Sequence, residues 1–132
     1  MNFNSKIEID GNDGVGKSTL VSFLKELGFT NVKDRGRMTK ATDDEYIEPE
    51  KDVFYILLDA TPETSRKRLF LAGKNLDEKF HRLEDLIYYR ERFLKIATKF
   101  NPKIINTDDK SDIIVLRHFI FEFFKNSIHY GL

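Results

Sequence analysis

Cysteine is absent from the 132 residues, which excludes a disulfide framework, a thiol nucleophile and a thiolate metal site. Net charge is missing too, with 22 basic side chains against 22 acidic ones. No overall field therefore draws the protein to nucleic acid or to a membrane surface. No apolar run approaches the roughly 20 residues that span a bilayer. The opening "MNFNSKIEID" lacks a basic region followed by an apolar stretch of signal-peptide length. These absences predict a soluble, cytoplasmic protein with no membrane partner and no clear nucleic-acid site. The histidines His81, His118 and His129 fall at no metal-ligand spacing and read as ordinary helix or tail residues.

What is present suffices for one domain over residues 1–132, since domains commonly run ~100–150 residues. Hydrophobic residues make up 40% of the chain and phenylalanine occurs twelve times, enough for a core. Short apolar runs alternate with helical patterns, the signature of a parallel sheet covered by helices. Residues 6–10, "KIEID", read as a strand with Ile7 and Ile9 on one face. A helix is predicted over 17–27, with Leu20, Phe23, Leu24 and Leu27 as its stripe and Gly28 as its C-cap. A short strand is expected at 30–34, and a central strand at 53–59, "VFYILLD", whose unbroken apolar run suits a strand buried on both faces. Thr61, Pro62 and Glu63 form a helix start, and Gly73 ends that helix. A long helix is predicted over 80–99 with Phe80, Leu83, Leu86, Ile87, Phe93, Leu94 and Ala97 inward, stopped by Asn101-Pro102. A last strand at 103–106 and a closing helix at 111–125 follow, the helix with Ile113, Leu116, Ile120, Phe121 and Phe124 inward. The fold class is α/β, a three-layer sandwich of about four parallel strands with helices on both faces.

Gly11-Asn12-Asp13-Gly14-Val15-Gly16-Lys17-Ser18 matches G-x-x-x-x-G-K-[ST], the pattern of a phosphate-binding P-loop. Its glycines allow backbone angles that other residues resist and let phosphate approach the main chain. Converging amide N–H groups and the positive end of the following helix suit an anion. Lys17 would reach the phosphates nearest the transferring group, and the Ser18 hydroxyl would ligate Mg²⁺. Asp13 is an acid inside an anion cradle, where its carboxylate would bond nearby backbone N–H groups.

Together with "YILLDATPETSRKRL", "RLEDLIYYRERFLKIA", "KIINTDD" and "KDRG", this cradle resembles the thymidylate kinase and deoxynucleoside kinase superfamily over most of the chain. Glu84, Arg90 and Phe93 stand at matching positions. The resemblance implies ATP and Mg²⁺ as cofactors and a nucleotide or nucleoside as the small-molecule acceptor. Residues 11–19, Thr19 included, would hold the donor phosphates, while the Asp13 side chain would face the acceptor sugar in place of backbone N–H groups. Asp34 would lie near Mg²⁺ or the reacting hydroxyl, and Arg35 on the acceptor. Arg66 and Arg68 would lead into a lid, with Arg68 the better candidate for the moving phosphoryl group and Lys74, Lys79 and Arg82 joining on closure. By its position at the end of the central strand, Asp59 is a candidate Mg²⁺ ligand or a brace for the cradle.

Relatives of this kind carry another strand and two helices between the cradle helix and the Asp-Arg pair, which here follows Gly28 almost at once. That segment ordinarily walls the acceptor pocket. Residues 35–52 have no convincing period and are the natural replacement, with a short helix near Thr42 ended by Pro49 as one possibility. Thr39, Thr42 and Tyr46 offer hydroxyls or a ring, and Asp43, Asp44 and Glu45 would suit a sugar or a base amine. A second subunit completing the wall, a homodimer, is the other arrangement. Three functions compete: a nucleotide or nucleoside kinase, a kinase for another metabolite or a polynucleotide 5′ end, and a non-catalytic nucleotide-binding module.

Overall fold

The computed structural model describes residues 2–131, with side chains through residue 125. Four strands, β1 (Lys6–Asp10), β2 (Val32–Asp34), β3 (Val53–Asp59) and β4 (Lys103–Asn106), form one sheet in the order β2-β1-β3-β4. Every pairing is parallel, with Ile9 opposite Asp34 on one side and Ile56 on the other. Helices α1 (Lys17–Glu26), α2 (Arg37–Ala41), α3 (Pro62–Leu71), α4 (Leu83–Phe100) and α5 (Asp112–Gly131) complete the chain.

Alternation along β1 and β3 explains the layers, because successive side chains leave a strand on opposite faces. Ile7 and Ile9 of β1, with Phe54, Ile56 and Leu58 of β3, pack under α1 and α5. Phe29, Phe119 and Phe123 fill this core with edge-on ring contacts. On the other face Tyr55 and Leu57 meet Met38 and Ala41 of α2 and Phe93 and Phe100 of α4. The result is the α/β three-layer arrangement expected from the sequence, with β3 buried on both sides.

The helix boundaries expected around α3 hold. Thr61 accepts from the Thr64 N–H, Pro62 opens the helix, and Gly73 leaves it at φ +74°. Elsewhere the inward faces differ. Among the described side chains of α5, Val115, Phe119 and Phe123 are buried and Leu116, Ile120 and Phe124 pack against the core as expected, whereas Ile113 and Phe121 are exposed. In α4 the buried residues are Leu86, Phe93 and Phe100, and Ile87 and Leu94 face out. Helix α4 starts at Leu83 rather than 80 because Arg82 holds an extended backbone and Phe80 a left-handed one.

The 35–52 segment contains a helix earlier than expected, at 37–41, so Thr42 ends it instead of starting one. Its anchor is the second face of β1. Glu8 and Asp10 are buried carboxylates that accept the N–H groups opening α2. Asp10 Oδ1 takes Gly36 N at 2.7 Å and Thr39 N at 3.1 Å, and Glu8 Oε1 takes Arg37 N at 2.6 Å. These acids cap a helix start that has no local side-chain cap, satisfying N–H groups otherwise left without partners. Gly36 is required there: a Cβ would sit 2.2 Å from Glu8 Oε1. The rest of the segment is tied down by Tyr55 Oη, which accepts Glu50 N at 3.0 Å, and by Arg92 Nε, which donates to Thr42 O at 2.8 Å.

Candidate functional site

The cradle leaves the carboxyl end of β1, where β2 and β3 diverge to opposite sides, and this is where ligands bind in open α/β sheets. Gly11, Gly14 and Gly16 have φ of +144°, +83° and +100°, values that side chains with a Cβ resist. A Cβ on Gly11 would lie 2.3 Å from Leu58 O, and one on Gly14 would lie 2.5 Å from Ser65 O. Two glycines thus fit the loop against β3 and α3. Gly16 meets nothing within 4 Å and leaves the N-terminus of α1 uncovered. That helix has neither a side-chain cap nor an acid in its first turn, so its first N–H groups and dipole face outward, ready for an anion.

Lys17 is only 6% exposed. Its ammonium donates to Gly11 O at 2.6 Å and Asn12 O at 2.7 Å and lies 3.8 Å from Asp13. Burial lowers its pKa to about 8, with Asp13 opposing the shift and Arg35 adding to it. A charge held this tightly and this poorly solvated favours an incoming phosphate.

An open cleft of about 910 Å³ runs from this cradle and is lined by Lys17, Ser18, Thr19, Asp34, Arg35, Arg68, Lys74 and His81 among others. The residues present fit a nucleoside triphosphate with magnesium: glycines at positive φ, an uncapped helix start, a buried ammonium, and the hydroxyl of Ser18 and carboxylate of Asp34 in the cleft lining. Asp59 does not line this cleft. It pairs with Arg90 through two hydrogen bonds, Nε to Oδ1 at 2.9 Å and Nη2 to Oδ2 at 3.0 Å. Asp59, expected as a Mg²⁺ ligand or as a brace for the cradle, thus joins the end of β3 to α4.

The two arginines of α3 are also engaged with protein. Arg68 donates to Thr107 Oγ1 at 2.9 Å and reaches Gly14 O at 3.4 Å, holding the cradle to the turn after β4. Arg66 donates to Leu76 O at 3.2 Å and His81 O at 3.1 Å and so shapes the 74–82 turn. It does not line the cleft, contrary to its expected place among the donor-binding residues. Arg82 pairs with Asp85 at 3.0 Å, and the Lys79 ammonium lies 5.1 Å from the centre of the Phe80 ring.

Asp13 is where the mobile-sounding parts of the sequence meet. Arg35 Nη2 lies 3.1 Å from Oδ1, and His81 Nε2 lies 3.1 Å from Oδ2. The other ring nitrogen of His81 faces Asn75 O at 2.9 Å. The reading of His81 as an ordinary helix residue is thereby corrected: it precedes α4 and latches the 74–82 turn to the cradle. His118 lies 3.9 Å from Glu122 on α5, and the His129 side chain lies outside the described residues.

Beyond Asp13 a second pocket of about 110 Å³ opens, lined by Gly11, Asn12, Asp13, Lys17, Arg35, Thr39, Thr42, Asp43, Phe80, Tyr89 and Phe93. It shares Asp13, Lys17 and Arg35 with the cleft. Tyr46, by contrast, is 83% exposed, and neither it nor Asp44 nor Glu45 lines the pocket. Five non-glycine residues have positive φ among those described, Arg35, Asp52, Phe80, Asn101 and Asp109. Three are Asp or Asn, which tolerate this conformation. The other two, Arg35 at +51° and Phe80 at +73°, both line the second pocket, in keeping with the concentration of backbone strain at functional sites.

Phe80, Tyr89, His81, Glu8 and Asp10 were not singled out for this site from the sequence. Only the placement of two carboxylates at alternate positions of β1, on the face opposite Ile7 and Ile9, gave a local signal. In comparisons with known proteins, the chain matches no family model and no curated sequence.

Proposed function

We propose that the chain is an ATP- and Mg²⁺-dependent phosphotransferase acting on a nucleoside or nucleoside monophosphate, in the manner of the thymidylate kinases it resembles. One observation carries the reading: the phosphate cradle and an aromatic-walled pocket open into each other across Asp13, Lys17 and Arg35. A donor site and an acceptor site joined at two cations and a carboxylate suit phosphoryl transfer, which asks a protein mainly for positioning and positive charge.

The terminal phosphoryl group passes from ATP to an acceptor oxygen. The new P–O bond forms as the bond to the β-phosphate oxygen breaks and ADP leaves; a monophosphate dianion has no proton to lose, and a hydroxyl acceptor passes its proton to water in the open cleft. When bound, Mg²⁺ would neutralise charge on the donor phosphates. Within the chain, Lys17 and the first N–H groups of α1 would hold the donor phosphates, while Ser18 and Asp34 would hold the metal. Arg35, 65% exposed in its side chain at the junction of the two pockets, offers a planar fork for the acceptor phosphate. Asp13 orients Arg35 and, through His81, ties the 74–82 turn to the cradle.

A second reading rests on the engagement of Arg66 and Arg68 with backbone and Thr107, which leaves α3 without a free arginine for the moving group. It makes the chain a nucleotide-binding module without catalysis. Incubation with γ-labelled ATP and a panel of nucleosides, monophosphates, other small hydroxyl metabolites and a 5′-hydroxyl oligonucleotide separates the readings. Label in a nucleoside or monophosphate is the expected result. Label only in another metabolite or in the oligonucleotide would redirect the acceptor, and tight ATP binding with no labelled product would favour the module.

A further inference from the structure

The second pocket has a hydrogen-bond polarity of its own. Three hydroxyls line it, and each donates to the protein. Thr39 Oγ1 donates to Asp10 Oδ1, Thr42 Oγ1 donates to Thr39 O at 2.6 Å, and Tyr89 Oη donates to Asp43 Oδ1 at 3.1 Å. Burial, with Asp43 beside it, raises the Tyr89 pKa, which keeps that hydroxyl a donor to the carboxylate. What these oxygens still offer a ligand is lone pairs, and the Asp43 carboxylate only accepts. The lining cations, Lys17 and Arg35, sit at the end shared with the cradle cleft. One end of the pocket therefore suits a phosphate, and the aromatic end suits a ring whose edge donates.

Size narrows the ring. A closed cavity of about 150 Å³ takes a benzene, so a pocket of about 110 Å³ that opens onto the cleft has room for at most one six-membered ring, laid against Phe80, Tyr89 and Phe93. Uracil and thymine present one N–H flanked by two carbonyl oxygens, and those oxygens would face lone pairs and a carboxylate. Cytosine instead carries an amino group where uracil and thymine carry a carbonyl oxygen, beside its own acceptors N3 and O2, and a carboxylate accepting from that amino group is a favoured pairing.

We propose that this pocket takes a single-ring base with an exocyclic amino group, cytosine being the type, and that Asp43 is the residue determining that specificity. The proposal rests on the kinase reading for its consequence in turnover, but the base preference itself is a property of binding. Asn at position 43 keeps an acceptor for Tyr89 and adds an N–H donor toward the pocket.

The test measures calorimetric binding of CMP, dCMP, UMP, dTMP and AMP to the full chain, and kcat/KM for each with ATP. The wild-type protein should prefer the cytidine nucleotides by about 10–100-fold, the scale of one good base-edge pairing. Asp43→Asn should erase or invert that preference. Tyr89→Phe, which removes the hydroxyl that holds Asp43, should reduce it and serves as the second variant. Cytidine preference in binding without turnover would uphold the pocket and sink the kinase reading. Turnover with UMP, dTMP or AMP preferred would uphold the kinase reading and overturn this one, as would an unchanged preference in a folded Asp43→Asn protein. Absence of monophosphate binding would overturn it as well.

Discussion

The cradle and the second pocket are built in opposite ways. The cradle is nearly all local: residues 11–19 follow one strand and open one helix, and their geometry comes from glycines and one lysine. The second pocket draws on residues 11–13, 35–43 and 80–93, and no two of those segments are neighbours in the chain. A local site is specified by spacing, whereas an assembled one depends on anchors that lie outside it. Here the anchors are Glu8 and Asp10 beneath α2, Arg66 inside the 74–82 turn, and the Arg90–Asp59 pair.

The sharpest probe of the two regions is the cation they share. Lys17→Ala should lower turnover by roughly 10²–10³-fold, the cost of removing one transition-state donor, and should also weaken monophosphate binding at the shared end of the second pocket. An unchanged rate would end the phosphotransfer reading.

The converse change strikes the anchor of the acceptor side. Asp10→Ala strands the Gly36 and Thr39 N–H groups, and at about 1–3 kcal/mol for each unsatisfied buried group the loss should be about 3 kcal/mol in urea unfolding. If stability held and acceptor binding were untouched, the β1 carboxylates would not be what positions residues 36–39.

Smaller in effect is the latch between the regions. His81→Ala removes a hydrogen bond to a carboxylate, which contributes roughly 1.5–3 kcal/mol when fully formed. Amide exchange across residues 74–82 should quicken by roughly tenfold, with exchange in β1 and β3 unchanged. Equal protection in both proteins would show that the turn is held by Arg66 without His81.

The least effect, and the finest comparison, is in pH. Lys17 titrates near 8 in the folded protein against an ordinary value of 10.5. Between those values the unfolded chain binds the extra proton, so this group makes stability rise with pH by at most about 1.4 kcal/mol per unit. Phosphate binding runs the other way, since an anion prefers the protonated lysine. ATP affinity should fall from pH 7 to 9 with proton uptake on binding near pH 8. Lys17→Met should remove both slopes, read as the difference from the unaltered protein in calorimetry and urea melts.

Much of this was legible in the chain itself. The central strand at 53–59, the capped start of α3 and the phosphate loop were all readable because each rests on neighbours within a few residues. The 35–52 segment was not readable by period, since what orders it is a pair of carboxylates some thirty residues earlier in the chain. Phe80 was misjudged as helical for the same reason, and nothing local marked the conformation of Arg35. Their left-handed backbones cost roughly 1–2 kcal/mol each and persist through tertiary contacts that no local propensity encodes. Asp59 was placed correctly at a strand end, yet its partner was decided by where α4 passes.

By itself, then, the sequence determined an α/β chain with a glycine-rich loop between its first strand and first helix, because glycine spacing and hydrophobic period act over short range. Only the tertiary structure decided that Asp13 would join Arg35 to His81, and that Thr39, Thr42, Asp43, Phe80, Tyr89 and Phe93 would enclose one pocket. Those relations depend on sheet order and helix packing, which bring distant residues to the same end of β1.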